Sequence, residues 1–424
     1  MQNSPKLPIV GFAGLTHLGL NSAVASAAHG FKTLGFHKTP AVIERLKQGQ
    51  LHVLEAGLPE LLKKHSNNIS FSSDAQILSK CDIVYISEDV PTEANGNSDL
   101  SPVHQIIKTV TNEMRKDALL VILCQVPPGF TRKVDWPEKQ CFYQVETLIF
   151  GRAVERALNP ERIILGLGNN NQVIEKRLNI FLEAFKCPIL PMLYESAELA
   201  KISINLYLVA MVSTANTLAE ICERIGADWS EIIPALKLDR RIGQFAYLKT
   251  GLGISGGNLE RDLVTAQRFT RLNQTDGRIV DAWIHNSNYR KDWAWHTLKR
   301  LGLHKNQQNN ITILGLTYKE NTHSVKNSPA LKFLSHLEGW QVKAYDPEAV
   351  MDINYNLKRV NSIQEAITGA DVLCVMTPWQ EFKGLTTIML QEKMHGKVIL
   401  DPYRMLDEIS LRGAGFHYAT LGKL

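Results

Sequence analysis

Short apolar runs alternate with longer amphipathic stretches along the whole chain. LPIVGFA (7–13) ends at Gly14 and gives way to LTHLGLNSAVASAAHG, whose Ala and Leu residues fall at helical spacing. Strand, glycine turn, helix is the order this predicts. FKTLGFHK reads as a second strand. CDIVYISEDVPT and ALLVILCQVPPGFT are continuous apolar runs that end in polar, proline-bearing loops. Strands buried on both faces of a parallel sheet have that signature. Leu54 to Leu62 opens a helix. Residues 195–226 read as one long helix with apolar residues on most faces, hence much of it buried. A helical stretch then runs to about residue 301, and the polar segment HKNQQNN is a linker. After it the opening texture returns in ITILGLTYKENTHSVKNSPALKFLSHL, QVKAYDP, ADVLCVMTPWQEF and VILDPYR, with DVLCVMTP paralleling DIVYISEDVP.

The pattern predicts an α/β protein: two Rossmann-like doubly wound domains joined by a long central helix. The expected boundaries are 1–190 for a dinucleotide-binding domain, 191–303 for a helical segment and 304–424 for the second Rossmann-like domain. Ligands of such sheets sit at the carboxyl ends of the strands. Thr92 and Gln125 therefore face the first crevice, and Lys319, Asp346, Thr377 and Asp401 lie at strand ends of the second domain.

Composition narrows this picture little. The chain has 424 residues, 44% hydrophobic and 21% charged, as in ordinary globular proteins. A net charge of +5 suits an acidic small molecule, and no basic run with interleaved aromatics points to nucleic acid. The first residues lack a signal-peptide pattern. No apolar run approaches the length a bilayer needs, so no membrane partner is expected. Six scattered cysteines without a C-x-x-C pair read as reduced thiols of a cytoplasmic protein. The histidines show no metal-ligand spacing, so no metal is expected.

Three stretches carry candidate chemistry. In the first turn the fingerprint G-x-G-x-x-G falls on Gly14, Thr16 and Gly19. The turn glycine and the packing glycine are present, and Thr16 stands where backbone would approach a pyrophosphate. His37 and Lys38 end the second strand where a carboxylate would hold a ribose. A basic pair there either meets a 2′-phosphate, which opens NADP, or marks a lost contact. Glu198, Lys201 and Asn205 lie on one face of the long helix, either as a surface ion pair with an asparagine or as working groups. Finally, DRRIGQFAYLKTGLGISGGNLERD (239–262) places Gly251, Gly253, Gly256 and Gly257 within seven residues, with Asp262 after them. That is either a surface loop or a backbone cradle for a ligand.

These motifs, in order over roughly residues 8–404, resemble the UDP-glucose/GDP-mannose dehydrogenase family. The long helix resembles its catalytic E-x-x-K-x-x-x-N, and 239–262 its D-x-R-I-G and G-x-G-x-G-G-x-C-x-x-K-D segments. QVETLIFGRAVERALNPERIILG keeps the family's first glutamate as Glu146, while Phe150 stands in place of the second. GLTYKENTHSVKNSP keeps Lys319 of the nucleotide-sugar segment, with Lys326 in place of an arginine. The resemblance implies a homodimeric oxidoreductase that oxidises the C6 alcohol of a UDP- or GDP-sugar with NAD. It implies a catalytic group of Lys201, Asn205, Asp262, Glu146 and position 258. Gly14, Thr16, Gly19, His37, Thr92, Gln125 and Lys326 are set with the cofactor. Arg241, Tyr247, Gly251, Gly253, Gly256, Gly257 and Lys319 are set with the sugar nucleotide, Arg241 reaching the neighbouring subunit. Asn258 stands at the cysteine position, and an amide is not a nucleophile at neutral pH. Oxidation stopping at the aldehyde is one consequence. A non-catalytic paralogue that binds nucleotide sugar or a partner subunit, and a reaction without net oxidation, are the alternatives.

Overall fold

A computed structural model describes residues 6–91, 93, 98–305, 310–350, 355 and 357–423. Thr92 and part of the expected linker, 306–309, lie outside the described residues. The described chain forms two compact units, 1–204 and 205–424.

The first unit is built on an eight-stranded sheet: β1 (Val10–Ala13), β2 (Thr33–Phe36), β3 (Ile69–Ser72), β4 (Ile83–Ile86), β5 (Leu119–Ile122), β6 (Cys141–Gln144), β7 (Ile163–Leu167) and β8 (Ile189–Leu193). Its order is β3-β2-β1-β4-β5-β6-β7-β8, parallel except for the antiparallel β6–β7 pair. Helices α1 (His17–Ala28), α2 (Pro40–Lys47), α3 (Leu58–Lys64), α4 (Ser101–Glu113), α5 (Ala153–Leu158) and α6 (Lys176–Glu183) complete the unit. Every residue of β1, β2, β4 and β5 is buried, as their continuous apolar runs predict. The strand order reverses between β1 and β4, which creates a crevice at their carboxyl ends.

The helix α7 (Tyr194–Ile225) is a single element of 32 residues, within a residue of the sequence expectation at each end. It also corrects one expectation. By length and composition it could cross a membrane, with a mean hydropathy of 1.4 over its most apolar window. Widely spaced polar residues let that window pass unnoticed in the sequence. Here 39% of the window is buried inside the protein, and Glu198 and Asn216 on the same helix bond to backbone N–H groups of the fold.

The second unit continues with α8 (Trp229–Leu238), α9 (Asn258–Leu272), α10 (Arg278–Lys291) and α11 (Trp293–Arg300). Its sheet contains β9 (Asn310–Leu314), β10 (Gln341–Tyr345), β11 (Lys358–Arg359), β12 (Val372–Val375), β13 (Val398–Leu400) and β14 (His417–Ala419), with α12 (Pro329–Leu334), α13 (Ile363–Ile367), α14 (Thr387–Lys393) and α15 (Glu408–Gly413). All its pairs are parallel, in the order β11-β10-β9-β12-β13-β14. DVLCVMTP and DIVYISEDVP thus occupy equivalent places: β12 lies beside β9 as β4 lies beside β1.

Candidate active site

The turn between β1 and α1 has the shape its glycines predict. Gly14 has φ +94°, and a Cβ there would press on the backbone of Glu88 at 2.7 Å. A Cβ on Gly19 would lie 1.7 Å from the Gly14 carbonyl oxygen, so only glycine lets α1 pack this close to the turn. Thr16 occupies the N-cap but does not cap the helix with its side chain. Its hydroxyl instead donates to the Ser87 carbonyl at 3.3 Å and accepts from the Asp89 N–H at 3.0 Å. Asp89 takes over the capping, accepting the His17 N–H at 3.2 Å. The His17 ring meets Glu55 at 2.7 Å and lies 4.1 Å from the Phe150 ring. Glu55 also accepts the N–H groups of Gly151 and Ala153.

Gly14, Phe36, His37, Lys38, Glu88 and Gln105 line a cavity of about 130 Å³ at the carboxyl ends of β1 and β2. It lies where doubly wound sheets place their ligands, outside the carboxyl ends of the strands beside the switch point. His37 accepts a hydrogen bond from the Thr39 N–H at 3.1 Å. Burial, with the nearby His52 and Lys38, lowers its pKa. Gln125 follows β5 and is half-buried.

On α7 the polar face is not a surface ion pair. Glu198 is fully buried and accepts the N–H groups of Gly129 at 2.6 Å and Thr131 at 2.8 Å, anchoring the VPPG loop. Burial nevertheless raises its pKa. Lys201 pairs instead with Glu146, Nζ to Oε1 2.7 Å, both side chains largely buried. In the second unit, Asn205 donates to the buried carboxylate of Asp262. The structure thus pairs four predicted residues two by two, each pair containing a residue of α7.

The glycine loop is held from several elements of the second unit. Asn216 on α7 accepts the Gly251 N–H at 2.9 Å, and Ser287 on α10 accepts the Ile254 N–H at 2.8 Å. Gly253 (φ +78°) lies against the Ser287 carbonyl and Gly256 (φ +88°) against the Tyr318 ring, so neither leaves room for a Cβ. Asn327 donates to the Gly256 carbonyl. Gly257 caps α9, and Asn258 is the exposed first residue of that helix. Among the described residues the buried Ser255 Oγ has no hydrogen-bond partner, so none of them is in place as a base to activate it. All six cysteines are free thiols, and burial raises each of their pKa values, those of Cys81 and Cys141 to about 12.

The remaining predicted residues spread over the second unit. Tyr247 lines a cavity of about 500 Å³ with Lys237, Phe245, Tyr403 and Arg404. Arg241 is 88% exposed and doubly bonded to Asp239. Lys319 lies 5.7 Å from the centre of the Tyr318 ring. Lys326 is exposed, with its N–H on Ser324, and belongs to the second unit rather than to the dinucleotide-type sheet. Sequence reasoning passed over His17, Glu55, Asp89, Asn216, Ser287 and Asn327. Their partners are up to 98 residues away, for Glu55 on Ala153, and no local spacing signals such contacts. For Asp89 the double carboxylate after an apolar strand was a visible signal.

Three domain descriptions of one family match the chain in order. They are the NAD binding domain of the UDP-glucose/GDP-mannose dehydrogenase family over residues 9–185, its central domain over 195–289 and its UDP binding domain over 312–408. The UDP-glucose 6-dehydrogenase of Rickettsia bellii is 28% identical over 97% of this chain and 98% of its own length. A UDP-glucose 6-dehydrogenase of Bacillus subtilis is 27% identical over 97% and 92%. The structure of a UDP-glucose dehydrogenase from Pyrobaculum islandicum superimposes with a TM-score of 0.81 at 26% identity, covering 95% of each chain.

Proposed function

The chain belongs to the UDP-glucose/GDP-mannose dehydrogenase family, with NAD as the cofactor its first domain indicates; on that footing we propose that it oxidises the C6 alcohol of a UDP- or GDP-sugar and stops at the aldehyde. The single observation that carries this reading is the intact pairing of Lys201 with Glu146 and of Asn205 with Asp262. Residues of these types are what alcohol oxidation requires. The buried Asp262 is the group to take the hydroxyl proton, with Asn205 holding its carboxylate. The Lys201 ammonium, held by Glu146, stabilises charge developing on the sugar oxygen. NAD supplies the acceptor for the hydride that leaves C6. The alcohol thus loses one hydride and one proton and becomes an aldehyde.

A second oxidation needs a nucleophile to trap that aldehyde. Asn258 offers none, Ser255 has no base among the described residues, and none of the six thiols is set up as a thiolate. The stop at the aldehyde rests on these side chains. Arg241, exposed in a single chain, and Tyr207, Ile225, Leu238 and Phe245, each exposed by 70% or more, accord with a homodimer. A monomer mass in light scattering contradicts that part. The reduced cysteines accord with a cytoplasmic setting.

A non-catalytic paralogue that binds nucleotide sugar is the second reading. It is favoured by Thr16, whose hydroxyl is bonded to the loop after β4, and by Phe150, packed on His17. Turnover separates the two. With NAD and a panel of UDP- and GDP-sugars, reduced nicotinamide should form, and Lys201→Ala or Asp262→Asn should lower kcat by roughly 100-fold or more. Unchanged rates in both variants contradict the assignment. Tight sugar-nucleotide binding without any reduced nicotinamide supports the paralogue.

A further inference from the structure

The amino end of α1 is where a doubly wound domain places the diphosphate of its dinucleotide, because unpaired N–H groups and the helix dipole attract negative charge there. In this chain that end already holds an anion. Asp89 Oδ2 accepts the His17 N–H at 3.2 Å. Thr16, at the middle position of the fingerprint, holds the carboxylate's loop in place through its hydroxyl, which donates to the Ser87 carbonyl and accepts the Asp89 N–H. A glycine at position 16 makes neither bond. On the other side of the turn, the Glu88 carboxylate lies 2.6 Å from where a Gly14 Cβ would be. Two carboxylates therefore flank the place a diphosphate needs, and like charges at such distances repel strongly where solvent is partly excluded.

We propose that Asp89 is a resident anion on the diphosphate seat, and that NAD binds only when the loop 87–91 carries this carboxylate off the end of α1. Asp89 and its tether Thr16 then set cofactor affinity in this chain. The titratable groups around the seat are His17, Glu88, Glu55 through His17, and Lys38. Crowding by the surrounding chain raises the pKa values of both Asp89 and Glu88, and Asp89 adds to the rise at Glu88. The inference rests on the reading that the first domain holds NAD.

Calorimetric titration of the full chain with NAD tests it without requiring turnover. Asp89→Asn keeps an oxygen on the His17 N–H and removes only the charge. Asp89→Ala clears the seat, and Thr16→Gly releases the loop. The expected result is a Kd lowered by roughly tenfold or more in Asp89→Ala and Thr16→Gly, with Asp89→Asn between them and the parent. If Asp89→Ala melts early, Asp89→Asn, which retains the helix cap, carries the test. Equal Kd values in all four proteins overturn the proposal and leave NAD binding intact. No binding at millimolar NAD in any of them overturns both.

Discussion

In the proposed reaction, position 258 sets how far the chemistry runs. It is the first residue of α9, where the helix amino end lowers the pKa of a thiol. Asparagine there is exposed and inert. Restoring a thiol by Asn258→Cys should raise the yield of reduced nicotinamide from about one to about two per sugar, as acyl-enzyme chemistry requires. End-point absorbance with limiting sugar measures it; a yield still near one shows that a thiol alone does not open the second step. Arg261, beside it, is a further departure from the family pattern and is buried next to Asp262, Nε to Oδ1 3.9 Å.

The elements explain why some of the site could be read in advance and some could not. The strand–turn–helix order, the parallel runs and α7 follow local hydrophobic period, and they match within a few residues. Lys201 and Asn205 were visible from helical spacing, but the partner of Glu198 was not. A buried carboxylate bonded to the N–H groups of Gly129 and Thr131 joins segments 67 or more residues apart. Glu198→Ala should therefore destabilise the first unit by about 2–4 kcal/mol, since two buried N–H groups lose their acceptor. Urea unfolding checks this, and a loss below about 0.5 kcal/mol contradicts it. The glycine loop was legible as a cradle, whereas Asn216, Ser287 and Asn327, which fix its shape, were not.

A second element-scale prediction concerns the start of α8. Partial burial works against ionisation of Asp228, but bonds from Arg404 and Ser230 hold its pKa down, from 3.8 to about 2. A carboxyl whose folded value is depressed stabilises the fold above its unfolded value. That contribution is present above about pH 4 and is lost as the pH falls toward about 2. The acid limb of the stability curve should flatten in Asp228→Asn, and an identical limb in both proteins contradicts the assignment.

At the scale of the molecule, two doubly wound sheets share one plan, and the family's three domains match in order over most of the chain. The departures that the sequence motifs imply fall at chemical positions: Thr16 at the cofactor turn, Phe150 on His17 and Asn258 at the position of the nucleophile. A scaffold kept while single side chains change is what a narrowed reaction requires, and it is also why fold alone does not state function. The most direct measurement is the amount of reduced nicotinamide formed per nucleotide sugar consumed by the unaltered protein, with the sugar limiting and the product's carbonyl assayed in parallel. The account predicts about one reduced cofactor per sugar and an aldehyde product, because one hydride leaves and nothing traps the carbonyl. About two per sugar with a carboxylate product, or none at all with the sugar bound, contradicts it.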